Sequence, residues 1–503
     1  MLSSSEIKSM LEKEPKFDDI FCSLRATGKQ PKGIIKEAKE VIAIARKFNE
    51  EIVNKQTIEL DLKSHENPDD LPWDYVKEAN KWGFFTMFVP KIFGGKGYSM
   101  STLGYFCEEI SSVCLGLATL TCAHYLGYGL LISSWNMRVI NKISREIVEG
   151  EKNGKPCLLS LAITEADAGT DSQNIELMDT GNLVCHAKKT DDGYILNGSK
   201  IFISAGHLST WHITHAYTDL NKGSESTVML AVKTGSKGFS FGKKEKKMGQ
   251  KVCPASELVF SDCFVPDDLV CIDNRKSKKL SKAIYDTNAQ IFAYIWGGSR
   301  TGVGGFGTGA ARGAFEEALK FASENKLDGK LMINHSWCQA TLAEMYSNVA
   351  VARASYSEAN YVNGLHGLWK LLNIKPLYYL LKLTPLSVLD IIFKWFNEKE
   401  FSTWFFRKLC LDLHTDDEIR RIDGWGALAK IVGTDKGMEN CRLALELMGH
   451  AGVRHNNRIE KIYRDAKLLQ IYEGTNQVNR MIVFKRLVAG KNPDACVFSA
   501  NTN

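Results

Sequence analysis

Glu473 is the residue in this chain whose type and setting suit proton chemistry. It stands in Leu468–Arg480, LLQIYEGTNQVNR, after an apolar run and directly before Gly474 and Thr475. Apolar neighbours disfavour the charged form of a carboxyl and raise its pKa, which suits a general base working near neutral pH. On the residues alone, the same pattern also reads as a structural ion pair at a helix C-terminus. Gly302–Gly307, GVGGFG, fits the GxGxxG spacing that dinucleotide folds use to bring backbone against a pyrophosphate. It lies in helical texture without a clear strand before it. The eight glycines between Gly297 and Gly313 read instead as a closely approached helix start. His212 and His215 in WHITH resemble a ligand pair, but positions i and i+3 on a strand face opposite ways, so no metal is expected. No GxSxG elbow occurs, and no Cys/His arrangement stands out for nucleophilic work.

These residues need a scaffold, and 503 residues at about 150 per domain suggest roughly three domains. Apolar residues make up 44% of the chain and charged ones 24%, which excludes disorder, collagen and a polytopic membrane protein. Sixty-four basic and 58 acidic residues leave a dispersed +6, so nucleic acid is not expected as a partner. Thirteen cysteines without a CxxC pair read as buried free thiols in a reducing compartment. The opening MLSSSEIKSMLEKEP mixes acids with bases and lacks an apolar h-region, which reads as a cytoplasmic chain without a secretory or transit signal.

Periodicity divides the chain into an α+β arrangement. Residues 1–33 form an N-terminal extension and 34–155 a helical domain. Short β-rich runs such as GYILNGSKIFIS and TVMLAVKT, separated by Gly, Asn and Asp, mark a middle β domain at 156–275. A basic linker follows at 276–290, with its charged run starting at Arg275, and reads as a solvated loop. A C-terminal helical bundle spans 291–490, with a hydrophobic insert at 365–422, and 491–503 form a tail.

Three separated segments carry a resemblance. Leu161–Asp171 (LAITEADAGTD), Tyr194–Gly206 (YILNGSKIFISAG) and Tyr463–Arg480 (YRDAKLLQIYEGTNQVNR) resemble, in order and spacing, motifs of the acyl-CoA dehydrogenase family. The resemblance covers nearly the whole chain outside the insert. It implies an N-terminal helical domain, a middle β-barrel-like domain and a C-terminal helical bundle that together hold FAD. The implied reaction is α,β-dehydrogenation of an acyl-CoA thioester to the trans-2-enoyl-CoA, with electrons passed to an electron-transfer flavoprotein. Glu473 matches the family's catalytic base. Its backbone N–H, with a ribityl hydroxyl of FAD, would steady the enolate-like oxygen as charge develops. Some members carry the base near the start of the first C-terminal helix. That position is Ser299 here, which cannot act as a base at pH 7. Arg300 matches a neighbouring arginine that supports the site.

For the cofactor, Ile163 and Thr164 match residues that touch the isoalloxazine through backbone and hydroxyl, and Ser204 matches the hydroxyl on the hydride-accepting nitrogen. Phe202 stands where most members have a tryptophan stacked on the flavin. Thr170 matches a small hydroxylated residue near the pyrophosphate and CoA, and Thr475 and Gln477 match contacts to the adenosine half. Dicarboxylyl-CoA members place an arginine where Ala118 falls, which points to an uncharged acyl chain. An oxidase-type flavoenzyme of the same family, and a catalytically silent scaffold that binds a membrane or partner through the insert, remain as alternative readings.

Some positions depart from the family's pattern. The R-x-T-F-G that reaches a neighbouring subunit's FAD is Asn325-Lys326-Leu327-Asp328-Gly329 here, and two glutamines are Ser336 and Glu446. An acid gained and a cation lost beside a pyrophosphate is unfavourable, so Lys326 or Lys330 compensates or the inter-subunit contact is rearranged. A homodimer or homotetramer is expected. Within the insert, Thr384 is expected as an N-cap with Pro385 at the first helical position. Ser387, Asp390, Lys394 and Asn397 then form one narrow polar stripe on a broad apolar and aromatic helix. Charges interrupt each stretch before it is long enough to span a bilayer. The insert therefore reads as an extra core layer or oligomer contact, as a peripheral membrane anchor through 365–408 at the inner face, or as a docking face for a redox partner.

Overall fold

In the computed structural model, which describes residues 29–273 and 284–489 together with 3–6, 9, 23 and 497, a helical layer comes first. It comprises α1 (Gly33–Phe48), α2 (Asn54–Glu66), α3 (Trp73–Lys81), α4 (Leu103–Ser111), α5 (Leu115–Ser133) and α6 (Met137–Lys152). α5 is apolar on all sides and is therefore wrapped by its neighbours. It is long enough to cross a membrane, yet 83% of its apolar window is buried inside the protein. α6 buries Val139, Ile140, Ile143 and Ile147 along one face and keeps its charges outside. α4 carries Glu108 and Glu109 into the interior, where Arg46, Arg312 and Arg353 neutralise them.

The β domain follows as β1 (Leu159–Ala162), β2 (His186–Lys189), β3 (Gly193–Ser204), β4 (Trp211–Tyr217), β5 (Thr227–Lys233), β6 (Phe239–Lys244), β7 (Ala255–Pro266) and β8 (Val270–Ile272). The strands pair in the order β6-β7-β3-β2-β4-β5-β8, with β1 parallel to β4, around a separate core that includes Tyr194, Leu196, Leu230, Leu258 and Phe260. The two histidines of β4 face apart. His212 bonds Ser160 and Thr234 on one side of the sheet, and His215 packs on Phe292 on the other. Burial keeps both rings neutral, with pKa values pushed down to about 3.

The C-terminal layer is α7 (Ile284–Glu324), a small hairpin β9 (Lys326–Leu327) and β10 (Lys330–Leu331), α8 (Ser336–His366), α9 (Lys375–Leu383), α10 (Leu386–Asn397), α11 (Glu400–Arg407), α12 (Asp416–Met448), α13 (Arg458–Lys467) and α14 (Asn476–Val483). Several expectations shift here. The basic run from Arg275 to Lys282 lies outside the described residues, as do nearly all of the tail and most of the extension. α7 starts at Ile284, so the linker ends before 290. The capping box of Thr415 and Glu418 starts α12 before 422, so the insert's last residues belong to that helix. Thr384 does not cap α10. Its hydroxyl donates back to the Leu380 carbonyl at 2.7 Å, and Pro385 is the residue before the helix.

The glycine string is not a helix start either, because it lies in the middle of α7. Gly297, Gly304 and Gly307 lie against Gly426, Ala429 and Gly433 of α12, while Gly305 and Gly309 lie against Gly104 and Ser111 of α4. A Cβ at Gly304 would stand 2.8 Å from the Ala429 carbonyl oxygen, so the helices touch backbone to backbone. Gly304→Val is accordingly expected to destabilise the protein by about 1–3 kcal/mol through overpacking. Chemical denaturation checks this, and a variant as stable as the parent would show that α7 and α12 can move apart freely.

Candidate active site

The turn after α13 carries Glu473. Its backbone is left-handed (φ 58°), followed by Gly474 at φ 78°. The left-handed region costs a residue with a Cβ roughly 1–2 kcal/mol, and three side chains hold the turn there. Arg300 Nε donates to the Glu473 carbonyl at 3.1 Å. Asn479 Nδ2 donates to the Gly474 and Thr475 carbonyls at 2.7 and 2.9 Å. Lys430 Nζ donates to the Gly474 carbonyl at 2.6 Å and to Asn476 Oδ1 at 2.9 Å. Arg300 is itself pinned to buried Asp423 at 2.7 Å, and Arg486 holds the other oxygen of that carboxylate. Thr475 caps α14 by accepting the Val478 N–H at 3.3 Å, and Gln477 beside it is exposed.

This frame leaves the Glu473 carboxyl with a buried, unpartnered Oε2. Desolvation raises its pKa, against the opposing pull of the Ser299 hydroxyl and of the charges on Arg300 and Lys430. The two positions at which the family places a base, 473 and 299, thus meet at one point. Burial, reinforced by Arg300, pushes the Lys430 pKa down to about 7. Lys430→Met removes two charge-assisted bonds from the turn, each worth roughly 1.5–3 kcal/mol. Flavin reduction is expected to slow at least about tenfold with the flavin retained. An unaltered rate in stopped-flow reduction would show that the turn holds its shape without this lysine.

The other wall comes from the β domain. Phe202 sits at a bulge in β3, with φ 56° and its ring 55% exposed, an apolar plane offered outward from a strand. Ser204 ends the same strand, half-buried and paired with Ala255. The β1 extension is locked to β3 by a fully buried ion pair, Lys200 Nζ to Glu165 Oε1 at 2.6 Å, and by Lys200 to the Ile163 carbonyl at 2.9 Å. The Ile201 N–H donates to the Thr164 carbonyl at 2.9 Å. Ile163 and Thr164 therefore lie beside Lys200 and Ile201, directly before Phe202 in the strand. Trp296 Nε1 of α7 donates to the Gln173 carbonyl at 2.9 Å, and Gln173 reaches the Thr164 hydroxyl at 3.4 Å. Residues 250–254 close the corner. Pro254 accepts the Ala205 N–H, and Gln250 links Thr119 of α5 to Asp465 of α13.

Beside the turn, between α7 and the segment 170–175, runs a groove of about 530 Å³, lined by Thr170, Trp296, Arg300, Asp423, Gly474 and Arg486 among others. An exposed ring, a hydroxyl at a strand end, an unpartnered carboxyl and a groove carrying Arg300, Lys485 and Arg486 fit a flat redox cofactor with a diphosphate tail. They equally fit a thioester carrying a phosphorylated tail. Thr170, Arg300 and Gly474 line this groove, Glu473 is the neighbour of Gly474 in the chain, and Gln477 turns to solvent. Glu165, Lys200, Asp423, Lys430 and Asn479 were missed in the sequence, although a lysine between the apolar residues of β3 was a signal. At the departing positions, Asp328-Gly329 makes the two-residue turn of the β9–β10 hairpin with both φ positive. Glu446 is neutralised by Arg442 one helical turn earlier, so the acid does not stand as a bare charge.

The model of the acyl-CoA dehydrogenase N-terminal domain matches residues 36–136, that of the middle domain 160–263, and that of the C-terminal domain 294–362 and 412–488, on either side of the insert. The chain is 28% identical over 409 residues, 81% of its length and 80% of the relative's, to cyclohex-1-ene-1-carbonyl-CoA dehydrogenase of Syntrophus aciditrophicus. It is 26% identical over 440 residues, 87% and 96% of the two chains, to the caffeyl-CoA reductase-Etf complex subunit CarC of Acetobacterium woodii. In fold it resembles butyryl-CoA dehydrogenase from Megasphaera elsdenii, with a TM-score of 0.66 at 22% identity over 89% of this chain and 97% of that one.

Proposed function

The chain belongs to the acyl-CoA dehydrogenase family of FAD-dependent oxidoreductases, and from that premise we propose that Glu473 removes the α-proton of an acyl-CoA with an uncharged acyl chain, with an electron-transfer flavoprotein as the oxidant of the reduced enzyme. The observation that carries this is the unpartnered Glu473 oxygen, buried and aimed from a turn that three side chains hold in place. When bound, FAD supplies the acceptor for the β-hydride. Phe202, Ser204, Ile163 and Thr164 would hold its ring system, and Thr170, Thr475 and Gln477 its phosphate and adenosine parts.

The protein's own residues then do the rest. Burial keeps Glu473 basic enough to accept a proton from a weakly acidic carbon, while Arg300 and Lys430 keep a sufficient fraction ionised. The Glu473 N–H stabilises the thioester oxygen as it gains charge, and because the left-handed turn is already formed, no reorganisation is needed at that moment. Arg300 and Asp423 hold that donor in place rather than touching the reacting atoms. Ala118, buried on α5, brings no charge to the acyl side, which supports an uncharged chain. The relative named for a complex with Etf supports the electron-transfer flavoprotein as acceptor.

Anaerobic titration of the purified flavoprotein with a panel of acyl-CoAs tests the reading. Uncharged acyl-CoAs are expected to bleach the flavin and dicarboxylyl-CoAs to leave it oxidised. Rapid reoxidation by an electron-transfer flavoprotein is expected, and fast peroxide formation with oxygen would instead assign an oxidase.

A further inference from the structure

Two helices that are otherwise wrapped on all sides each leave one stripe uncovered. In α5, every residue from Leu115 to Ser133 is buried except Cys122, Leu126 and Gly129, which share one face at i, i+4 and i+7. In α7, every residue from Gln290 to Ala311 is buried except Gly298, Ser299 and Gly302. The stripes face one another. A Cβ at Gly129 would stand 3.9 Å from Ile295 Cδ1, one helical turn before Ser299. A Cβ at Gly302 would stand 3.8 Å from Cys107 Sγ of α4, and that sulfur lies 3.6 Å from Cys122 Sγ. Between these two contacts lie Leu126, Gly298 and Ser299, and a Cβ at Gly298 would meet no atom within 4 Å. An accessible space between two packed helices is a chamber. Ser299 puts it beside the base, because its hydroxyl stands at the Glu473 carboxyl.

The other six glycines of the string supply the contrast. A Cβ at any of them would come within 2.8 Å of a neighbouring element, so packing accounts for each. Packing accounts for neither Gly298 nor Gly302, and glycine forms a helix less well than alanine at any interior position. What these two provide is space. We propose that Gly298 and Gly302 set the length of the acyl group by holding open a chamber that takes chains of up to about eight carbons. From Ile295 to Gly302, and from Cys122 to Gly129, is seven residues in each helix, or about 10 Å. An extended chain of 1.5 Å bonds advances about 1.25 Å per carbon, so a long-chain acyl group would run into the Ile295–Gly129 contact or the two thiols. The walls offer sulfur, aliphatic carbon, bare backbone and one hydroxyl, with no charged side chain, which suits an apolar chain. The inference rests on the reading of Glu473 as the base that the chamber adjoins.

The experiment measures calorimetric binding of S-alkyl-CoA thioethers, from ethyl to hexadecyl, to the full-length, FAD-loaded protein. These probes lack the carbonyl, so binding is read without any proton transfer to Glu473. Affinity is expected to rise about fourfold per methylene as far as octyl and to stop rising there. Gly298→Val should weaken octyl binding at least about tenfold while leaving ethyl binding within about twofold, and Gly302→Ala should weaken octyl binding about fourfold. Neither variant should melt below the parent, because the added carbons enter open space and both residues favour a helix over glycine. The proposal fails if affinity climbs steadily to hexadecyl, or if Gly298→Val binds octyl as the parent does. It also fails if Gly302→Ala melts well below the parent, which would mean that the space is filled. The same samples are then mixed with acyl-CoAs of matching lengths and the flavin absorbance is followed. A parent that obeys the length rule for thioethers but is bleached by none of the acyl-CoAs would overturn the assigned reaction and uphold the chamber.

Discussion

Glu473→Gln is expected to retain FAD and to bind acyl-CoA as the parent does, while flavin reduction falls by about 10²–10⁴-fold, the usual weight of a general base. The amide keeps the shape of the side chain, and the backbone N–H remains, so binding and oxyanion stabilisation survive while basicity is lost. Stopped-flow bleaching under nitrogen reads this directly. Reduction at near the native rate would place the base elsewhere. Because burial raises the carboxyl's pKa, the parent's acid limb should lie above the ordinary carboxylate range and vanish in the variant. Stability should move the opposite way to activity. A carboxyl whose folded pKa is raised contributes fully below its unfolded pKa and loses that contribution as pH rises through the folded value. At neutral pH the ionised Glu473 is therefore a cost, and Glu473→Gln should melt above the parent there, with the gap closing as pH falls through the ordinary carboxylate range.

The second large effect is expected far from any proton transfer. Lys200→Met leaves Glu165 charged in a site with no solvent, holding only the Val184 and Cys185 N–H groups. Removing one partner of a buried pair costs about 3–5 kcal/mol, most of it the penalty of the stranded charge. The variant should lose that stability in chemical denaturation and release FAD, since the same lysine ties Ile163 to β3. Glu165→Gln with Lys200→Met should recover most of the loss. A lone Lys200→Met within about 1 kcal/mol of the parent, the range of a surface pair, would mean that water reaches Glu165.

Much of this was legible in the chain itself. Strand alternation and the Gly, Asn and Asp breaks marked the β domain because a two-residue period is a local property, and the three motif segments kept their order because each is short and continuous. Glu473 was legible for the same reason: an acid set in an apolar run announces a raised pKa before any fold is known. Positions whose meaning comes from a distant partner were not. Glu165 and Lys200 lie 35 residues apart, and Lys430 reaches a carbonyl 44 residues on. The lysine among the apolar residues of β3 marks Lys200 as unusual, but nothing local names the partner of either lysine.

Two features needed the packed structure outright. The eight glycines could be a phosphate loop or a helix contact, and only the approach of α7 to α4 and α12 decided it, since a missing Cβ serves backbone and ligand alike. Periodicity in TPLSVLDIIFKWFNE grouped the residues by face but left open which face turns inward. A polar stripe ordinarily faces water because hydration is cheaper than burial. Here the stripe splits: Asn397 is buried on the Ile92 carbonyl and half-exposed Asp390 pairs with Arg145, both partners supplied by other elements, while Ser387 and Lys394 stay in the exposed face among the apolar residues.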